Sequence, residues 1–140
     1  MATAIAVSPN GAPANTTAAP NTTTLKQMLT ELVKVEGITT AVVVSRDGFV
    51  IDGASNGNSL DLEAVGAVVS AGIGSNIAIG AELHVGAIQQ SMAEYEKGFI
   101  VATLLGDAGA LVVVVADLKA NLGHVRYHVK KHAAVIGTRV

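Results

Sequence analysis

Apolar and polar residues alternate along the chain with the periods of three helices and five strands. The first helix is expected to begin at Thr24, because Thr24 and Gln27 have the spacing of a capping box. Apolar residues follow at helical spacing and form its buried stripe: Leu25, Met28, Leu29 and Leu32. Gly37 is the expected C-terminal stop. Residues 1–23, rich in Ala, Thr, Asn and Pro and without charge, predict a flexible tail before a domain that spans 24–140.

Five segments predict strands, of which the third is mixed in polarity. Asp47-Gly48 is a tight-hairpin signal between the first two, and a glycine-rich loop at 53–58 follows them. The five segments cover 39–45, 49–52, about 84–96, 99–105 and 111–116. A third helix at about 120–136 turns Leu122, Val125, Val129 and Ile136 toward the core. The order α-β-β-α-β-β-β-α predicts an α+β fold, a five-stranded antiparallel sheet with helices on both faces.

The second helix, predicted at about 60–79, has no charged face. Asn58 or Ser59, followed by Asp61 and Glu63, marks its start. Residues 64–81 carry no charge and nothing bulkier than Ile. The residues expected to face the core are Val65, Val69, Ile73 and Ile77, and most of the remaining circumference is small. Because a surface helix of a monomer carries a charged face, this helix is expected to be buried twice, by its own sheet and by another subunit or partner.

Composition and charge exclude several classes of function. The chain has no Cys, which excludes disulfides, thiolate zinc sites and cysteine nucleophiles. Aromatic residues make up 3% of the chain, which argues against base stacking. Residues 118–140 hold five basic residues and no acidic one, a strip that we interpret as a solvated helix face rather than a nucleic-acid or membrane surface. No signal peptide is predicted, and 64–81 is too weakly apolar for an expected membrane span, so a cytoplasmic location is expected.

No group of residues predicts an enzyme active site, a cofactor or a metal. Ser55 lies in a Gly-x-Ser-x-Gly pattern, but a nucleophile elbow joins a strand directly to a helix on a parallel sheet, so a glycine-rich connection is favoured. His124, His128 and His132 recur every four residues, a spacing that can share a metal. That helix has no carboxylate to complete a site, which favours a partly buried flank, with a pH-sensitive interface as the alternative. No phosphate-binding loop is present.

In the order of its helices and strands and in several motifs, the chain resembles the roadblock/LC7 family over about residues 24–138. The resemblance rests on four runs: 42–51, 97–107, 111–117 and 120–127. It implies a profilin-like fold and a dimer. In that dimer, the third strands of two subunits pair to make one continuous ten-stranded sheet, and the two second helices lie side by side.

For function, the resemblance implies regulation of a Ras-like small GTPase by a stand-alone protein of the prokaryotic type. The alternative is a scaffold, or one half of a heterodimer, without effect on GTP hydrolysis. The residues expected at the dimer and partner interface are Ala67, Ser70, Ala71, Gly74, Ser75 and Ala78 on the second helix, with Ala87, Gln89 and Ser91 on the third strand. Arg46 is the only Arg before the third helix, so we expect no inserted arginine finger near this surface.

Overall fold

The computed structural model describes residues 24–57, 60–106 and 109–140, and within these ranges it confirms the predicted order of elements. The helices are α1 (Leu25–Leu32), α2 (Leu62–Glu82) and α3 (Leu122–Gly137). The strands are β1 (Ile38–Ser45), β2 (Val50–Ser55), β3 (Gln90–Tyr95), β4 (Gly98–Leu104) and β5 (Ala110–Asp117). The tail predicted at 1–23 lies outside the described residues.

The strands form one antiparallel sheet in the order β2-β1-β5-β4-β3. β1 and β5 lie at its centre, where Val42 pairs with Val113. Both strands are apolar on both faces, and 42–44 and 111–114 are fully buried. The central position predicted for the last strand is therefore confirmed, and β2 and β3 form the two edges.

Helices cover both faces of the sheet, as predicted. α1 and α3 share one apolar cluster, which includes Leu29, Leu32, Val125, Val129 and Ile136. α2 packs on the opposite face, in a cluster that includes Val42, Val44, Ile73, Leu111 and Val113. The sheet therefore separates α2 from the other two helices.

The capping box predicted for α1 is present. The backbone N–H of Gln27 donates to Thr24 Oγ1 at 3.1 Å, and the backbone N–H of Thr24 donates to Gln27 Oε1 at 2.8 Å. The predicted stop is wrong, because α1 ends at Leu32 with Val33 as its C-cap. A short series of turns then leads to Gly37 and β1.

Gly37 is instead required where the start of β1 meets the loop between β5 and α3. Its φ is +90°, in the left-handed region, and its carbonyl accepts the Asp117 N–H at 2.8 Å. A Cβ at this position would lie 2.4 Å from Ala120 Cα. This close approach leaves no room for a side chain.

Two strand boundaries also differ from the prediction. β2 continues through Ser55 because Gly53 and Ala54 still pair with β1, so the loop expected at 53–58 is shorter. β3 begins at Gln90 rather than near 84, because α2 runs to Glu82 and the chain then turns through residues with positive φ. These are His84 at 57° and Gly86 at 92°.

Candidate interaction surface

α2 presents an apolar face that no described part of the chain covers. Asp61 caps the helix by accepting the N–H groups of Glu63 and Ala64, while Asn58 and Ser59 lie outside the described residues. Toward the sheet, Ile73 is 2% exposed, whereas on the outward side Val68 is 72% and Ile79 52% exposed. The predicted burial of α2 by its own sheet is confirmed. The second burial remains a prediction.

α2 also has the length and composition to cross a membrane. It has 21 residues and a mean hydropathy of 1.6 in its most apolar window. One such helix is weak evidence for a span, since core helices pass the same test. Here the sheet-facing side of α2 belongs to the apolar cluster of the domain.

A groove of about 260 Å³ separates α2 from the β3 edge. α2 packs mainly over β1 and β2, which leaves the α2-side face of β3 open, where Ala93 and Tyr95 are exposed. The groove is lined by Val68, Val69, Gly72, Ile73 and Asn76 of α2 and by Ser91, Ala93, Tyr95, Ile100 and Ala102 of the sheet. A Cβ built at Gly72 would meet no atom within 4 Å. The groove is therefore mostly apolar and has space beside α2.

β3 is an edge strand whose outer backbone groups have no strand partner among the described residues. It pairs with β4 from Gln90 to Tyr95 and with no other described strand. Met92 is 43% and Tyr95 59% exposed. An edge of this kind is a template for pairing with another chain.

The structure places the predicted interface residues on three parts of this surface. On α2, Ala71, Gly74, Ser75 and Ala78 are exposed. Ala67 and Ser70 lie on the flank next to the β1–β2 turn, where Ser70 Oγ donates to the Ser45 carbonyl at 3.1 Å. Ala87 and Gln89 are exposed in the segment before β3, and Ser91 lines the groove. Ser91 therefore faces α2 across the groove. Ala67 and Ser70 lie on the other flank of α2, away from Ser91.

Val68, Gly72 and Tyr95 also line this groove, although the small-residue spacing of α2 does not point to them. The signal for Val68 and for Ile79 is their bulk, because both are large apolar residues outside the stripe assigned to the core. Only the placement of α2 over β1 and β2 shows that Val68 and Gly72 face the open side.

Ser55 and the three histidines of α3 are the candidates for chemistry that the sequence offers. Ser55 ends a regular strand, and His84 is the only non-glycine with positive φ among the described residues, so Ser55 lacks the strained turn of an elbow. The described residues also contain no group of three His, Cys, Asp or Glu side chains that could hold a metal.

The three histidines of α3 lie in a row, one helical turn apart. His128 Nε2 lies 2.9 Å from His124 Nε2, and their rings meet edge to face at 4.4 Å. His132 Nδ1 contacts the His128 carbonyl at 2.8 Å. Burial, together with the neighbouring His124, His132 and Lys131, lowers the pKa of His128 below its ordinary value. The surroundings of His128 therefore favour the neutral form of its imidazole ring.

Acidification is expected to weaken the fold more in the wild type than in His128→Gln. Since the folded state has the lower pKa, the unfolded state binds more protons as the pH falls below about 6.5. The free energy of unfolding then falls until the pH reaches the folded pKa. Urea midpoints at pH 7.5 and 5.5 measure the effect, with His84→Asn on the exposed turn as the control. An equal drop in the wild type and in His128→Gln would contradict the assignment.

Comparisons with known proteins agree with this architecture. The sequence profile of the Roadblock/LC7 domain matches residues 24–115. An uncharacterized protein of Methanocaldococcus jannaschii, MJ1340, is 42% identical over 113 residues, which cover 80% of this chain and 96% of that protein.

Solved structures with similar folds include the gliding protein MglB and a profilin. The gliding protein MglB of Thermus thermophilus has a TM-score of 0.78 at 21% identity, over 88% of this chain and 93% of that chain. Profilin IB of Acanthamoeba castellanii has a TM-score of 0.61 at 17% identity, over 84% of this chain and 100% of that chain. At these identities the likeness shows the fold, and it confirms the predicted profilin-like architecture.

Proposed function

Because the chain belongs to the Roadblock/LC7 family, we propose that it is a non-enzymatic, homodimeric regulator of a Ras-like small GTPase in the cytoplasm. The observation that carries the proposal is the uncovered apolar face of α2 beside the groove and the open β3 edge. An exposed apolar face next to an unpaired strand edge is typical of a site of protein association. No cofactor is part of the proposal.

A second copy of the chain is the occupant that this surface fits. Antiparallel pairing of two β3 edges satisfies the outer backbone groups of both strands and extends the sheet to ten strands. The same two-fold axis brings the second α2 toward the groove, where Gly72 leaves room for close approach of a helix. The proposed dimer interface includes the groove residues Val68, Gly72, Ser91 and Tyr95.

The GTPase is proposed to bind the outward side of the two paired helices and the nearby loops. Ala71, Ser75 and Ala78 are exposed there, so a partner can approach the helix backbone closely. Dimerisation would place two copies of this surface next to each other. The GTPase site therefore depends on the dimer.

Capture with two nucleotides tests the proposal. The immobilised chain is incubated with lysate of the organism that encodes it, in the presence of GDP or a non-hydrolysable GTP analogue. We expect a small GTPase to be retained in one nucleotide state, preferentially with the analogue. Retention of no nucleotide-binding protein would contradict the proposed function.

A scaffold, acting as a homodimer or as one half of a heterodimer, is the alternative. Both functions use the same apolar surface, but only an activator changes the rate of GTP hydrolysis. Single-turnover hydrolysis by the captured GTPase, with and without the chain, separates them. An unchanged rate together with nucleotide-independent binding would favour the scaffold.

Arg46→Ala is expected to leave any stimulation of hydrolysis within about twofold. Arg46 is held in the β1–β2 turn, which packs against α2 with Gly48 beside Ala67. Stimulation is nevertheless expected to come from repositioning of the GTPase's own residues rather than from an inserted arginine. Arg46 also lines an open cleft of about 680 Å³, together with Ile77 and the predicted interface residues Ala87 and Gln89. An arginine finger contributes about 10³–10⁵ to the rate, so a loss of that size in Arg46→Ala would show that Arg46 is one.

A further inference from the structure

Glu94 lies on the α3 side of β3, at the open edge of the sheet. Side chains alternate between the two faces of a strand, and Ser91 and Ala93 line the groove on the α2 side. Glu94 is directly opposite Phe99 of β4, which belongs to the apolar cluster under α1 and α3. Because directly opposed residues share a face, Glu94 and Gln90 both lie on the α3 side.

A basic side chain is held on this same face. Gln90 Nε2 donates to Thr103 Oγ1 at 2.9 Å, and Thr103 is buried in β4. Gln90 Oε1 accepts from Arg126 Nε at 3.0 Å, which fixes the exposed guanidinium of α3 beside the first residue of β3. Arg126 is therefore anchored through a buried residue and still has donors available on its two terminal nitrogens.

Glu94 and Arg126 have no ion-pair partner within the described part of the chain. The ion pairs found there are Lys26–Asp52 and Lys34–Glu31. Residues 118–140 contain no acidic residue that could neutralise Arg126 from its own helix. An acid and a base thus share one face of the sheet, near the same open edge, without pairing within one chain.

Two-fold pairing of β3 with a second β3 brings these charges together. The middle of this six-residue strand lies between Met92 and Ala93. With the axis at Met92, Glu94 is directly opposite the partner's Gln90. With the axis at Ala93, it is diagonal to that residue. Both positions are within reach of long side chains. Glu94 therefore meets the partner's Arg126, which the partner's Gln90 holds.

We propose that Glu94 of each subunit forms an ion pair with Arg126 of the other across the β3–β3 contact. These two symmetric pairs restrict the strand register to a two-fold axis at Met92 or Ala93 and select a second copy of this chain as the partner. The inference rests on the proposed homodimer and deepens it. It assigns charged residues on the α3 side of the sheet to an interface whose apolar part lies on the α2 side.

Charge reversal of either residue tests the proposal. Glu94→Arg places two arginines opposite each other twice per dimer, and Arg126→Glu does the same with two glutamates. Each variant is expected to raise the dimer dissociation constant about tenfold or more at low salt, with a smaller effect in 0.5 M salt. Sedimentation velocity over a concentration series measures the constant, and circular dichroism checks the fold of these exposed variants.

Mixing the two variants distinguishes a contact between subunits from one within a chain. In a heterodimer of Glu94→Arg with Arg126→Glu, both contacts again join opposite charges. The mixture is therefore expected to dimerise about as tightly as the wild type, although each variant alone does not. A contact within one chain would not be restored by mixing.

The outcomes separate this inference from the proposed function. A dimeric wild type whose charge variants dimerise equally well, or whose mixture shows no recovery, would overturn the ion pair while leaving the dimer intact. A wild type that stays monomeric at all concentrations would overturn the proposed homodimer itself, and the ion pair with it.

Discussion

Gly72→Glu is expected to convert the dimer into a folded monomer. Gly72 lines the groove on α2, and a Cβ there meets no atom within 4 Å in the single chain. The substitution therefore fits the isolated fold, and replacing a helix-interior glycine favours the helix by up to about 1 kcal/mol. In the dimer, the same side chain would place an unpaired carboxylate between the two α2 helices.

The cost in the dimer is large because a buried charge without a partner is strongly unfavourable. Removing the partner of a buried ion costs about 3–5 kcal/mol, and the two-fold axis introduces the new carboxylate twice. A cost of about 4 kcal/mol raises the dissociation constant about a thousandfold. Light scattering at micromolar concentration measures the mass, and circular dichroism verifies the fold.

Ala134→Glu is the matched control for this substitution. It adds the same charge to an exposed position of α3, on the opposite face of the sheet from α2. We expect it to stay dimeric. A Gly72→Glu variant with the mass of the wild type would show that the α2 helices do not pack through this groove.

Gly37→Ala is expected to destabilise the fold strongly, and more than Gly86→Ala does. It combines two costs, a left-handed backbone at φ +90° and a Cβ placed 2.4 Å from Ala120 Cα. The atom it meets belongs to the backbone, so the start of β1 must move away from the loop after β5. Overpacking of this kind costs about 1–3 kcal/mol beyond the conformational cost of about 1–2 kcal/mol.

Gly86→Ala separates these two contributions. Gly86 has nearly the same φ, +92°, but a Cβ there meets no atom within 4 Å. It therefore bears the conformational cost alone. Urea unfolding of both variants should show the lower midpoint for Gly37→Ala, and equal midpoints would mean that the loop at Ala120 yields without cost.

Local signals predicted the elements of the fold because they depend on neighbouring residues. Thr24 caps α1 as its spacing indicates, and Asp47-Gly48 forms the expected turn, with Gly48 at φ +95°. The wrong boundary at Gly37 depends on a distant contact instead. Gly37 has the composition of a helix stop, but its conformation serves the contact with Ala120, which is 83 positions away in the chain.

The candidate surface was predictable only in part, for the same reason. The absence of charge from 64–81 indicates that α2 has an uncovered side, which needs no knowledge of the sheet. Which flank of α2 borders the groove depends on the position of the helix over β1 and β2. The small-residue pattern therefore includes Ala67 and Ser70 but leaves out Val68 and Gly72. Likewise, the pairing of Glu94 with Phe99 is a property of sheet register, which one strand does not reveal.

Titration of the purified GTPase against the chain is the measurement that tests the central claim most directly. The captured GTPase, loaded with GDP or with a non-hydrolysable GTP analogue, is titrated calorimetrically with the wild type and with Gly72→Glu. We expect tighter binding of the analogue-loaded GTPase, by about tenfold or more, and loss of that binding in Gly72→Glu. Equal affinity in both nucleotide states, or unchanged affinity in the monomeric variant, would contradict a dimer that regulates a small GTPase.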